Sequence, residues 1–281
     1  MSLLERVRTC GVYHPENYRP FMVDGQIIGR IDVEALIELA DFGDVFRFED
    51  EQVHLKSHIQ GFNGRTATMA EVTGELRDRG LVVGWRDEPY PVGTGFSEPA
   101  LFNIERAAVP FFGVRGYGVH INGWVETDDG PHMWIGRRSL SKPTGPGLLD
   151  QMVAGGQPSG MSLLDNVVKE CREEAGIEEQ LARQARPVGT ISYITTREEG
   201  LRHDVLFNYD LRVPLDFLPV NEDGEVAEFM LWPMAQVLEE VSERDTFKFN
   251  AALVVIDFLV RHGFVDPELP GYTEIVSGLH H

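Results

Sequence analysis

The sequence predicts an α+β protein in two parts, a smaller α+β domain over residues 1–112 and a larger domain over residues 113–281. Three observations support this. A chain of 281 residues is longer than one ordinary hydrophobic core requires. Composition shifts across Glu105 to Gly118, where ERAAVPFFGVRGYG sets three glycines behind an apolar run. Beyond that shift, strand and helix signals are interspersed.

In chain order, Phe21 to Val23 and Gln26 to Gly29 flank Asp24-Gly25, a pair that supplies the positive φ angles of a tight hairpin. Asp32 is placed to cap a helix from Val33 to Asp41, with Val33, Leu36, Ile37 and Ala40 on one face. Thr68 is placed to cap a second helix that stops at Gly80. Val45 to Leu55 and Leu81 to Arg86 read as strands. Titratable groups do not gather in a catalytic pattern here, and His14, His54 and His58 read as surface or satisfied core residues. Met1 to Leu3 and His280-His281 are given no structural role.

In the larger domain, Val119 to Val125 and Met133 to Arg138 read as strands, followed by the glycine- and proline-rich loop SKPTGPG, whose length suggests a working role. Val188 to Thr196 and His203 to Val213 alternate around the turn REEG, and Val226 to Trp232 reads as another strand. Pro233 suits a first helical turn, and Asn250 is placed to cap the apolar helix AALVVIDFLV, which ends at Gly263.

Charge narrows the class of partner. Forty-five acidic against 25 basic residues give a net charge of -20, which repels nucleic acid and anionic membranes and attracts cations. A metal ion is therefore an expected partner, and nucleic acid and membrane are not. The 42% hydrophobic content is too high for a disordered chain. Cys10 and Cys171 form neither a disulfide framework nor a CxxC metal site, and a cytoplasmic location is the expectation. No stretch approaches the roughly 20 apolar residues of a membrane span.

The segment GGQPSGMSLLDNVVKECREEAGI, from Gly155, concentrates the chemistry. Ser162 followed by Asp165 is a form of capping box that starts a helix near Leu163, and Gly176 ends it. Leu164, Val168, Cys171 and Ala175 form its expected core stripe. Glu170, Glu173 and Glu174 share another face, centred about 140° away. Like charges at this spacing destabilise a helix unless a cation offsets them, and Mg²⁺ or Mn²⁺ prefers such hard oxygens. Gly155, Gly156 and Gly160 bring backbone N–H groups close to where an anion can sit.

This stretch resembles the Nudix box: glycine, five residues, glutamate, seven residues, then Arg-Glu, an aliphatic, any residue, Glu-Glu, any residue, glycine and an aliphatic. Gly155, Glu170, Glu173, Glu174, Gly176 and Ile177 match in spacing, while Met161 replaces the first glutamate and Lys169 the arginine. The resemblance implies a Nudix fold with a loop-helix-loop box, bound Mg²⁺ or Mn²⁺, and hydrolysis of a nucleoside diphosphate linked to another moiety or of a related diphosphate. Position by position it implies Glu170 and Glu174 as metal ligands and Glu173 as a ligand or water-orienting residue, so that all three are catalytic. It also implies a further metal ligand outside the box: Glu228 is favoured, with Glu222 and Glu225 competing. Asp165, one turn before Lys169, is expected to pair with it.

A narrower resemblance covers most of the chain. The runs ERAAVPFFGVRGYGVHINGW, MWIGRRSLSK and LLDQMVAGGQPSGMSLLDNVVKECREEAGI are similar to thiamine-pyrophosphokinase-related Nudix proteins, which carry an extra N-terminal domain. This implies thiamine diphosphate, or a damaged or analogue form such as oxythiamine diphosphate, as substrate. Arg137, Arg138 and Lys142, with Gly155 and Gly156, are candidates to hold the diphosphate. Trp124, Trp134 and Tyr193 read as core rather than stacking residues, and His203 as structural rather than acid-base. The N-terminal domain is expected to act as a lid or in substrate recognition, and a homodimer is a further expectation. The rival readings are a non-catalytic diphosphate sensor with a drifted box and an isopentenyl-diphosphate-isomerase-like enzyme.

Overall fold

The computed structural model describes residues 2–142 and 144–280; Met1, Pro143 of the SKPTGPG loop, and His281 lie outside the described residues. The chain opens with α1 (Leu3–Thr9), capped by the Ser2 hydroxyl, which accepts from the Glu5 N–H at 3.3 Å. Then follow β1 (Tyr18–Val23) and β2 (Gln26–Asp32), joined through Asp24-Gly25 with both residues at positive φ, as the hairpin signal requires. After α2 (Leu36–Leu39) come β3 (Phe46–Glu49) and β4 (Gln52–Leu55), then α3 (Gly61–Asp78). These strands form a sheet in the order β2-β1-β4-β3. The smaller hairpin of β5 (Pro89–Val92) and β6 (Phe102–Glu105) and the short α4 (Val109–Phe112) complete this part. Its core centres on Phe21, Phe46 and Phe112, whose rings lie 5.6 to 6.3 Å apart.

The second part is built on β7 (Arg115–Thr127), β8 (Gly130–Arg138), β9 (Leu149–Asp150) and β10 (Val153–Gly156). Helices α5 (Leu163–Ala175) and α6 (Glu179–Ala182) precede β11 (Arg186–Arg197) and β12 (Gly200–Arg212). Last come β13 (Val226–Pro233), α7 (Met234–Glu243), α8 (Phe249–Arg261) and α9 (Tyr272–Leu279). The seven-stranded sheet runs β11-β12-β7-β8-β13, with β10 on β7 and β9 on β8. It is mixed, because β12 pairs parallel to β7 while the other pairs are antiparallel. One apolar core joins the sheet to α7, α8, α9 and α1; a second, containing Val167, Cys171 and Ala175, joins it to α5 and α6.

Several sequence expectations change. The region Val45 to Leu55 is a hairpin rather than one strand, because Asp50 and Glu51 both take positive φ and reverse the chain. Helix α3 begins at Gly61, so Thr68 is interior, and Asp32 only tethers the Glu34 N–H at 2.8 Å before the short α2. Leu81 to Arg86 is not a strand. There Trp85 stacks beneath the Arg77 guanidinium at 4.6 Å, off any sheet edge. Pro233 and Lys248, not Asn250, stand at the caps of α7 and α8. The ends also have roles: Leu3 is buried, and His280 contacts the Thr190 carbonyl at 3.0 Å. Among the described residues no helix is long and apolar enough to cross a membrane.

Candidate active site

The site is assembled by three segments converging on α5. Ser162 caps the helix by accepting from the Asp165 N–H at 3.1 Å, and Gly176 closes it with φ of 63°. Strand β10 is stitched alongside: the Ala154 N–H donates to Glu174 Oε2 at 2.8 Å, and Asn166 Nδ2 donates to the Gly156 carbonyl at 2.8 Å. A side chain at Gly155 would collide with the Glu170 carboxyl, so a residue without Cβ is required where the strand crosses the helix.

These contacts rotate the helix from its expected setting. Val167, Cys171 and Ala175 are fully buried, whereas Leu164 is exposed. Glu170 and Glu174 are buried beside that apolar row rather than facing solvent across the helix. The wheel alone misplaces the boundary because β10 supplies polar partners that let carboxylates enter the packed face.

Burial has the expected electrostatic effect. It pushes the Glu174 carboxyl up to about 8, assisted by the neighbouring Glu170 charge and opposed by the Ala154 N–H. Burial raises Glu170 as well, against the pull of Lys169. The Lys169 ammonium bridges Glu170 Oε1 at 2.9 Å and Glu173 Oε2 at 2.8 Å, and Glu173 remains half-exposed. The expected Asp165–Lys169 pair does not form: Asp165 is held by the Ser162 hydroxyl at 2.6 Å and approaches Arg183 at 3.5 Å.

The second segment is the loop between β12 and β13. Its Val220 and Glu222 N–H groups donate to the Ala175 and Glu173 carbonyls at 3.0 and 3.1 Å, meeting free acceptors in the last turn of α5. An Asx-type turn follows, in which the Glu225 N–H donates to Asp223 Oδ1 at 2.8 Å. This seats Asp223 and Glu225 against Glu174, with one carboxylate oxygen from each lying within 4.8 Å of the others. The third segment brings Lys142, whose ammonium pairs with Glu225. Three converging carboxylates, one of them buried, form a donor set suited to a hard divalent cation.

Other sequence candidates go elsewhere. Glu228 pairs with Arg137 at 3.3 Å on the exposed β8–β13 edge, outside the cluster, because a register shift between Val226 and Glu228 turns it outward. Glu222 contributes its backbone to α5 and is not in the cluster. Arg138 is buried against Asp150 at 2.7 Å and also donates to the Thr144 carbonyl at 2.8 Å, so it pins the long loop. Tyr193 and Trp134 are buried, the Tyr193 hydroxyl donating to Asp204 at 2.7 Å, and Trp124 packs against the core. His203 is pushed down to about 4 by burial and by the Arg115 and Arg30 charges.

Beside the acidic helix lies a cavity of about 460 Å³ between the two parts of the chain. Arg86, Tyr90 and Arg106 line it from the N-terminal side, and Gly156, His120 and Lys248 from the sheet side. A Cβ at Gly156 would overlap the Tyr90 hydroxyl and stand 2.9 Å from Arg106 Cζ. No local pattern marks Arg86 or Arg106 in the sequence, since fold geometry alone brings them to β10.

Family comparison agrees with this arrangement. Residues 116–253 match the NUDIX domain model, and residues 2–116 match a domain of unknown function, DUF4743. Over 289 residues, 99% of this chain and 77% of the relative, the sequence is 44% identical to Nudix hydrolase 20, chloroplastic, of Arabidopsis thaliana. The chain belongs to the Nudix hydrolase family. Nudix hydrolase 24, chloroplastic, of the same plant is 45% identical over 99% of this chain and 77% of its own. An uncharacterised protein of Saccharomyces cerevisiae is 29% identical over 94% and 86%. Nudix hydrolases act on diphosphate-containing substrates and generally use divalent metal ions, which accords with the acidic cluster. The cytoplasmic expectation is overturned, because both plant Nudix relatives are named as chloroplastic. Two free, buried cysteines bear on redox conditions and carry no address.

Proposed function

We propose that this Nudix hydrolase converts thiamine diphosphate, or an oxidised or analogue form such as oxythiamine diphosphate, to the monophosphate and inorganic phosphate. The supporting observation is the convergence of Glu174, Asp223 and Glu225 next to Glu170, beside a cavity of about 460 Å³ that has room for a heterocycle. Glu174, Asp223 and Glu225, with Glu170 one turn away, would hold Mg²⁺ or Mn²⁺. Such an ion, when bound, neutralises phosphoryl oxygens and lowers the pKa of a coordinated water.

The chain's own groups perform the remaining work. Lys169 holds Glu170 and Glu173 in fixed relation and offsets their mutual repulsion. Glu173 Oε2 is engaged by Lys169, and Oε1 is the atom assigned to orient and deprotonate the attacking water. The water oxygen bonds to the terminal phosphorus, the bridging P–O bond breaks, and the monophosphate leaves. We assign this chemistry to residues 113–281 and substrate recognition to residues 1–112.

Purified protein with Mg²⁺ is assayed against thiamine diphosphate, oxythiamine diphosphate, ADP-ribose, NADH and isopentenyl diphosphate. The highest kcat/KM is expected for a thiamine-type diphosphate. A preference of about tenfold or more for ADP-ribose or NADH, equivalent to about 1.4 kcal/mol in barrier, overturns the substrate assignment.

A further inference from the structure

Strand β10 is approached from both faces. Glu170 lies against it at Gly155, and Tyr90 with Arg106 lies against it at Gly156, as side-chain alternation along a strand requires. Arg106 is committed: its guanidinium pairs with Glu88 at 2.7 Å and sits 5.6 Å from the Tyr90 ring centroid. Two other cations line the same cavity, Arg86 from the N-terminal part and Lys248 from the start of α8. Among the described residues, neither side chain makes a hydrogen bond or an ion pair.

What sets these two apart is their place, half-buried on the wall of one cavity in a chain with 45 acidic residues. The carboxylates that act on them are already engaged, Asp150 by Arg138 at 2.7 Å and Glu88 by Arg106 at 2.7 Å, so neither cation has a contacting anion of its own. Burial, with Arg106 nearby, lowers Arg86, and burial brings Lys248 down to about 8 against the pull of Asp150. The missing counterpart is an anion small enough for the cavity and able to meet a planar guanidinium fork and a point ammonium together, which describes phosphoryl oxygens.

We propose that Arg86 and Lys248 form an anion subsite that grips the phosphoryl groups of a small diphosphate from the N-terminal side of β10. The N-terminal part thereby supplies a substrate-binding side chain as a fixed wall of the site. The choice of diphosphate rests on the proposed hydrolase reading, whereas the anion subsite stands on the two unpaired cations.

Full-length protein in EDTA is titrated calorimetrically with inorganic diphosphate and, separately, inorganic phosphate, which separates the diphosphate group from the free product. The wild type is expected to bind diphosphate more tightly than phosphate, and Arg86→Ala and Lys248→Ala each to weaken diphosphate binding by about tenfold or more. Arg86→Lys, which keeps the charge, is expected to lose less, and thermal melts confirm that each variant is folded. Glu174→Gln is expected to bind at least as well as wild type without metal. Absence of binding by the wild type, or unchanged affinity in both alanine variants, overturns the subsite. If the binding pattern holds while no thiamine-type diphosphate is hydrolysed, the subsite stands and the substrate assignment falls.

Discussion

The Tyr90 hydroxyl fills the space beside Gly156 in which a Cβ on that residue would stand. One residue belongs to the N-terminal hairpin and the other to the strand that carries the box glycines, so their contact sets the spacing of the two parts at the site.

Gly156→Ala is therefore expected to destabilise the protein by about 1–3 kcal/mol and raise KM, as overpacking displaces Tyr90 and Arg106. Tyr90→Phe removes the obstructing oxygen, so the double variant should recover part of the loss. Thermal melts and KM values for all four proteins of the cycle check this, and full additivity would refute direct contact.

Glu174→Gln should lower kcat at least about 10²-fold while leaving the fold intact, because the amide oxygen can still accept the Ala154 N–H that the carboxylate accepts. Wild-type turnover in this variant at saturating Mg²⁺ would return the buried carboxylate to a packing role.

The ligand outside the box is tested by contrast. Asp223→Asn and Glu225→Gln are each expected to raise the Mg²⁺ concentration for half-maximal activity by about tenfold or more, whereas Glu228→Gln should shift it less than about twofold. Magnesium titrations of the three variants decide it, and the reverse ranking would favour Glu228.

His203 supplies a pH prediction independent of the metal. Its folded pKa of about 4 lies below the ordinary imidazole value of 6.5, so between these values the unfolded chain binds more protons. Stability must then fall as pH drops from about 6.5 to about 4, by at most about 3.4 kcal/mol for this group. His203→Gln should flatten that part of the profile of Tm against pH; an unchanged slope would show that His203 is not its source.

How much of this was legible in the sequence depends on whether a feature is local. The α5 caps, the β11–β12 hairpin and the terminator at Gly263 rest on neighbouring residues, and they stand where the residues place them. The start of α3 was not legible, since Gly61, Phe62, Asn63 and Gly64 are weak, exposed helix formers, and the turn is tied down at the buried Arg65, which pairs with the distant Asp24. The rotation of α5 was hidden because burial of Glu170 and Glu174 depends on β10. Asp223 and Glu225 reach Glu174 only through backbone bonds from a distant loop, and Arg86 reaches the cavity through domain packing that leaves no periodic trace.

Helix α1 has a consequence for how the protein is made. Leu3, Val7 and Cys10 pack with α8 and α9, and Arg6 pairs with Asp245 at 3.0 Å and donates to the Val241 and Arg244 carbonyls. Helix α1 thus has its partners more than two hundred residues further along the chain, and during synthesis it must wait, exposed, until they emerge. The part of the DUF4743 segment that follows α1 is thus an insertion between two pieces of one core, like a bead on a closed loop, and cutting the chain near residue 112 would strip a helix from the hydrolase as well as a neighbour.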